Sequence, residues 1–224
     1  LTPYSSAREE FKEVATILLD ANENPFETAL NRYPDPFQTA LKKELSIIKR
    51  VEANQIFIGN GSDEAIDLLF RAFCEPGKDK SYIFPPTYGM YEVSANINNI
   101  ETVKISLNPD FQLPHINEFV DIIDSNGLLF ICSPNNPTGN IYPLNAIKEI
   151  ASAFSGLVIV DEAYIDFSSS KSAISLLNEI PNLVVLNTLS KAYGLAGLRL
   201  GMAFASKEII AIINKIKPPY NINS

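Results

Sequence analysis

Three short runs, "GLLFIC" (127–132), "GLVIV" (156–160) and "LVVL" (183–186), are apolar without interruption. A strand with one wet face alternates apolar and polar residues, whereas a strand covered on both faces does not. These runs therefore predict strands of a sheet buried front and back. They are far too short to span a bilayer. "QIFIG" (55–59), "SYIF" (81–84), "ETVKIS" (101–106) and "LRLGMAFA" (198–205) are further strand candidates. Helical spacing falls between them. In 36–50 it runs through Phe37, Leu41, Leu45 and Ile48, and in 62–73 through Ile66, Leu69, Phe70 and Phe73, with Ser62 or Asp63 able to cap the start. Segments 88–98 and 206–217 read the same way. This alternation predicts an α/β fold: a mostly parallel central sheet with helices on both faces.

Ahead of that pattern, residues 1–36 read as irregular, with a short helical stretch near Ala7–Val14. "DANENP" (20–25) and "RYPDP" (32–36) are loops, because proline and asparagine break both periodicities. No internal repeat or low-complexity linker is present. The chain opens at Leu1 and closes on "KPPYNINS" directly after a helix. We expect sequence beyond both ends, and no secretory signal is visible.

Composition narrows the function classes. The 224 residues are 46% hydrophobic and 20% charged, which is ordinary for a globular domain with a real core. A net charge of −8, with lysines and arginines scattered, argues against a nucleic-acid surface. The two cysteines, Cys74 and Cys132, fit neither a disulfide framework nor a metal spacing and read as buried thiols of a reducing compartment. The single histidine, His115, excludes a multi-histidine metal site and follows Pro114 in a loop.

In α/β sheets ligands gather at the carboxyl ends of strands, and four polar constellations fall there. "GNGSDEAI" (59–66) opens a helix whose first N–H groups suit a phosphate; an ordinary cap is the competing reading. "SPNNPTG" (133–139) is a turn by its residue types, and it presents Asn136 from a strand end. "DEAYIDF" (161–167) puts two carboxylates at the end of a buried strand, which is expensive unless something positive meets them. Asp161 could pair with an arginine or hold the protonated nitrogen of a bound heterocycle, with the Tyr164 phenol in reach. "TLSKAYGLAGLRLG" (188–201) sets Lys191 where a strand runs into a tight loop. A lysine desolvated there would be nucleophilic toward carbonyls, and Ser190 and Arg199 could hold a phosphate. A structural Lys191–Asp161 pair is the bland alternative. Taken together, the four supply partners for a phosphate, a ring nitrogen, a phenolic oxygen and an aldehyde. Those are the functional groups of pyridoxal 5′-phosphate, and independent coincidence at four strand ends is the poorer account.

At this point the chain resembles the fold-type I aminotransferases. More narrowly it resembles the histidinol-phosphate branch of the class II pyridoxal-phosphate-dependent enzymes. "LDANENPF", "NRYPDP", "GNGSDEAI", "PPTYGMY", "CSPNNPTG", "VDEAYIDF" and "TLSKAYGLAGLRLG" stand in that family's order over essentially the whole chain. The resemblance implies that Lys191 bonds the cofactor aldehyde and shuttles a proton, and that Asp161 keeps the ring nitrogen protonated. It implies that Tyr164 and Asn136 bind the phenolic oxygen and that Tyr88 stacks on the ring. Ser62, Asp63, Ser190, Arg199 and, more weakly, Thr188 would serve the phosphate. Tyr33 would reach the phosphate of a neighbouring subunit, implying a homodimer with shared active sites.

The activity implied is amino transfer between histidinol phosphate and 2-oxoglutarate, in cytoplasmic histidine biosynthesis. The partners are a small-molecule amino donor and a 2-oxo acid acceptor, with no nucleic acid, membrane or metal. Residues 1–36 would be an arm and loop contributing to a small domain and the dimer contact, and 37–224 the large cofactor-binding domain. The family continues past "KPPYN" with a small domain that carries substrate arginines. The chain as given is therefore expected to hold an incomplete substrate site. Alternatives are a threonine-phosphate decarboxylase, an aromatic aminotransferase, or a non-catalytic cofactor-binding fragment.

Overall fold

The computed structural model describes residues 2, 5, 10, 11, 17–123 and 126–223. The helical stretch expected near Ala7–Val14 falls largely outside them. Residues 17–36 form no regular element. From there the chain runs α1 (Thr39–Lys49), β1 (Ile56–Asn60), α2 (Ser62–Phe73), β2 (Lys80–Ile83), α3 (Met90–Ile97) and β3 (Glu101–Lys104). It continues with β4 (Gly127–Cys132), α4 (Leu144–Ala153), β5 (Leu157–Asp161), β6 (Leu183–Thr188), β7 (Leu200–Ala205) and α5 (Lys207–Ile216).

The seven strands form one sheet in the order β1-β7-β6-β5-β4-β2-β3. β3, β2, β4, β5 and β6 are mutually parallel, and β7 runs antiparallel to both β6 and β1. The carboxyl ends of β1, β4, β5 and β6 therefore share one edge with the amino end of β7. That single reversal brings Arg199, just before β7, to the edge where ligands bind.

β4 and β6 are buried at every position, as the uninterrupted apolar runs require. Alternate side chains feed two cores. On one face Ile56, Ile58, Leu129, Ile131, Val158, Val160, Val185 and Phe204 pack with Leu45 of α1 and Ile147 and Ile150 of α4. On the other, Phe57, Leu128, Phe130, Ile159, Val184 and Ala203 pack with Ile66, Leu69 and Phe70 of α2, Tyr91 and Ala95 of α3, and Ile209, Ile210 and Ile213 of α5. At about 25 cal/mol per Å² of apolar surface buried, this two-sided burial is the main force holding the layers together.

Two local expectations change. The N-cap of α2 is Gly61, without a side-chain cap hydrogen bond, and Ser62 is the first helical residue. Gly61 caps because its N–H is donated to Arg199 O at 2.7 Å and its φ of +79° suits glycine. Both cysteines are free, but only Cys132 is buried; Cys74 lies partly open at the C-cap of α2. His115 is exposed, as its loop position predicts, and caps a short 3₁₀ turn.

Candidate active site

An open cleft of about 610 Å³ lies on the strand-end edge. Ser62, Asp63, Tyr88, Asn136, Asp161, Tyr164, Thr188, Ser190, Lys191 and Arg199 all line it, with Gly61, Cys132 and Ala163. Tyr33 does not. It stacks on Tyr220 with ring centroids 4.5 Å apart and lines a separate depression with Arg32 and Ile222.

At one end of the cleft α2 begins. Because Gly61 offers no side chain, the first N–H groups of the helix keep no side-chain cap, and the helix dipole adds positive character there. Arg199, in left-handed backbone at φ 54°, lays its guanidinium over Gly61. A Cβ on Gly61 would sit 2.8 Å from Arg199 Nη2. Gly201 lets β7 approach equally closely, since a Cβ there would lie 2.1 Å from Ser62 N. Glycines at these two positions are what allow helix start and arginine to converge. Thr188 lines the same end, but its hydroxyl is engaged, donating to Leu200 O and accepting from Ser190 N–H, each at 3.1 Å.

The floor is Asp161, the last residue of β5 and 3% exposed. Tyr91 Oη donates to its Oδ2 at 2.6 Å, and the Ala163 N–H donates to its Oδ1 at 3.1 Å. Burial raises its pKa; the Tyr91 and Ala163 donors and Lys191 pull it back, while Asp63 pushes it further up. Among the described residues no ion pair engages Asp161. Of the two bland alternatives, neither an arginine pairing nor a Lys191–Asp161 bridge is therefore present among the described residues. Beside it the Cys132 thiol is pushed up to about 12, chiefly by burial and then by Asp161.

Tyr88 spans the cleft wall, half-buried, with its hydroxyl donating to Asp63 Oδ1 at 3.2 Å. Burial and Asp63 push its phenol up to about 12, so it stays neutral. Asn136 faces the cleft because its neighbour does the structural work. Asn135 Nδ2 donates to Pro86 O and Thr138 Oγ1, and its Oδ1 accepts from Thr87 Oγ1. That knot ties the 133–139 turn to the loop carrying Tyr88.

Lys191 departs from expectation. It is exposed, in a rim loop where residues 191–199 are all exposed, rather than desolvated at the strand end. Its Nζ stands 5.3 Å from the centroid of the Tyr164 ring. The loop leaves the sheet after Thr188, so the lysine lines the cleft from its exposed rim.

The sequence did not single out Tyr91 or Asn135, and it marked Cys132 only as a buried thiol, not as part of the cleft. Tyr91 stood in "PPTYGMY", three residues after Tyr88, and that proximity in sequence was the available signal.

A model of the family "Aminotransferase class I and II" matches residues 4–224. The chain belongs to the class I and II aminotransferases. Among curated members, it is 56% identical over 225 residues to a histidinol-phosphate aminotransferase of Cytophaga hutchinsonii, covering 99% of this chain. The chain spans 65% of that relative's length. Among solved members, the histidinol-phosphate aminotransferase of Clostridium acetobutylicum matches with a TM-score of 0.78 at 27% identity, over 87% of this chain and 58% of that one. The enzyme of that name from Sinorhizobium meliloti, solved with pyridoxal-5′-phosphate, shares the fold at a TM-score of 0.78 and 23% identity, over 87% of this chain and 54% of that one.

Proposed function

We propose that this chain carries the cofactor site of a pyridoxal 5′-phosphate-dependent aminotransferase acting between histidinol phosphate and 2-oxoglutarate, in cytoplasmic histidine biosynthesis. One observation carries the reading. A buried carboxylate, Asp161, with no ion pair among the described residues, forms the floor of a cleft that has an open helix start and Arg199 at one end and Lys191 at its rim. The residues fit the group. Gly61 leaves room for a phosphate where a Cβ would crowd Arg199, and Asp161, which among the described residues makes no ion pair, would meet a ring N–H⁺ as its partner. The 56% identity to a relative of that name supports the substrate assignment.

When bound, pyridoxal phosphate supplies an aldehyde to carry the amino group and a ring that accepts electron density from the substrate's Cα. The chain's own residues do the rest. Arg199, Ser190 and the first N–H groups of α2 hold the phosphate dianion, each charge-assisted. Asp161 accepts a hydrogen bond from the ring nitrogen and holds a proton there. Tyr164 Oη and Asn136 Nδ2 would donate to the phenolic oxygen, and Tyr88 would lie against the ring and exclude water. Lys191, at the rim, would be the amine that holds the cofactor's aldehyde end and, when free, the base that moves a proton at the substrate's Cα.

The same reading makes the enzyme a homodimer with shared sites. Tyr33, outside its own cleft, reaches the neighbour's phosphate from the 1–36 arm, and 37–224 form the large domain. Phe167, Leu198, Tyr193 and Leu195 are exposed large hydrophobic residues that such a contact would cover.

The test is to add pyridoxal phosphate to the purified chain, reduce with borohydride and map the labelled peptide. A single adduct on Lys191, with a visible Schiff-base band beforehand, is expected. Label spread over surface lysines would sink the reading. Amino transfer from histidinol phosphate, compared with other donors, then tests the substrate.

A further inference from the structure

Tyr91 lies outside the cleft lining yet makes the shortest contact to its floor. The residue is 0% exposed, and its hydroxyl donates to Asp161 Oδ2 at 2.6 Å. Its ring cannot swing away. It stacks on Phe130 of β4 at 4.5 Å and 14°, and the Tyr88 ring meets it edge-on at 5.5 Å and 82°. Tyr91, on the first turn of α3, thus connects the wall residue Tyr88, in the loop just before that helix, to the floor carboxylate through a side chain locked on both sides.

The chemical type of this partner matters. A lysine or arginine here would stabilise the Asp161 charge but also cancel it, weakening its pull on any cationic ligand atom. A phenol stabilises the charge and leaves it uncancelled, because hydrogen bonds to an ionised acceptor are strong while the donor stays neutral. Burial pushes the Tyr91 phenol well above its usual range, so it remains a donor.

We propose that Tyr91 is a positioning residue: its hydroxyl fixes the Asp161 carboxylate in its ionised form, so that the proton shared with the ligand's ring nitrogen resides on the nitrogen. The proposal rests on the cofactor reading above. One proton is at issue, either on Asp161 Oδ or on the ring nitrogen, and the Tyr91 donor favours the second arrangement. The other titratable groups acting on Asp161 are Asp63 of α2, which opposes its ionisation, and Lys191 in the rim loop, which favours it. Cys132 of β4 and Tyr88 also feel its charge but are held neutral.

The experiment compares wild type, Tyr91→Phe, Asp161→Asn and the double variant. In the cofactor-free chain, carbon NMR of the Asp161 carboxyl should show it binding its proton about tenfold more tightly in Tyr91→Phe, because a donor to a charged acceptor is lost. With ring-¹⁵N pyridoxal phosphate bound, the nitrogen signal should move from the protonated toward the neutral position, and cofactor affinity should fall about tenfold. In the Asp161→Asn background, adding Tyr91→Phe should change affinity less than about twofold, since the two act as one unit.

An unchanged carboxyl titration, or equal affinity losses in both backgrounds, would overturn the proposal and leave Tyr91 a packing residue. Should Tyr91→Phe fail to fold, the wild type decides. The Tyr91 Cζ signal must change at the same pH as the Asp161 carboxyl, and separate midpoints reject the coupling. Failure of wild type to trap the cofactor on Lys191 rejects the cofactor reading instead, and the cofactor-free titration then decides whether Tyr91 holds Asp161.

Discussion

Glu162, the neighbour of Asp161, turns its carboxylate away from the cleft. Ser172 Oγ and the Ala173 N–H both donate to it, pinning the 172–176 segment beneath β5 and β6. The group is 2% exposed, and burial pushes it up to about 7, opposed by those two donors and Lys49 and reinforced by Asp166. Its folded-state pKa lies above the unfolded value, so the native state binds the proton more tightly. Its contribution to stability is full below pH 4.5 and is lost as pH rises through about 7. Glu162→Gln cannot ionise. Across that window the difference in stability should therefore move in the variant's favour, by about 3 kcal/mol at most. Melts followed by circular dichroism at pH 4.5, 6 and 8 would show it, and a constant difference would refute it. The sequence marked "DEAY" as a costly acidic pair. It could not tell which donors each carboxylate would meet, because Tyr91 is 70 residues from Asp161 and only folding brings them together.

The elements themselves were legible because burial on both faces writes itself into composition: β4, β5 and β6 coincide with the uninterrupted apolar runs, and α2 with its Ile66–Leu69–Phe70–Phe73 stripe. The direction of β7 was not legible, since a strand reads alike whichever way it runs. Nor was the α2 cap, because Gly61 owes its place to a hydrogen bond with Arg199 O, far along the chain. Gly201 gives a test of that junction. A Cβ there would meet backbone atoms, Ser62 N at 2.1 Å and the Gly61 carbonyl carbon at 2.2 Å, which cannot rotate aside. Gly201→Ala should cost about 1–3 kcal/mol by forcing β7 and the start of α2 apart, several degrees of Tm for a chain this size. It should also weaken pyridoxal-phosphate binding, because Arg199 and the helix start separate. A thermal melt and a cofactor titration on the same preparation check both, and an unchanged Tm would mean that the junction has slack.

For the whole molecule, the proposed sharing of sites has a direct assay. Tyr33 lies away from its own chain's cleft, and its role in the neighbour's site came from resemblance rather than from spacing. Tyr33→Phe dimers should bind the cofactor several-fold more weakly. Mixing them with Lys191→Ala protomers, which keep Tyr33, should restore wild-type affinity at one of the two sites of each mixed dimer, as expected when the two groups act across subunits. No restoration would confine Tyr33 to its own chain. The sheet order has a further consequence, in time rather than space. Among the described residues β7 is the one strand neighbour of β1, and β2 to β6 all lie between the two in sequence. While a ribosome delivers the chain, β2 to β6 can pair as they emerge, whereas β1 waits with both edges bare until residues 200–205 slide in beside it. Helix start and Arg199 meet only at that moment. The junction of β1 with the rest of the sheet thus forms only after five other strands have been made, and a chain cut short before β7 leaves β1 without a strand partner.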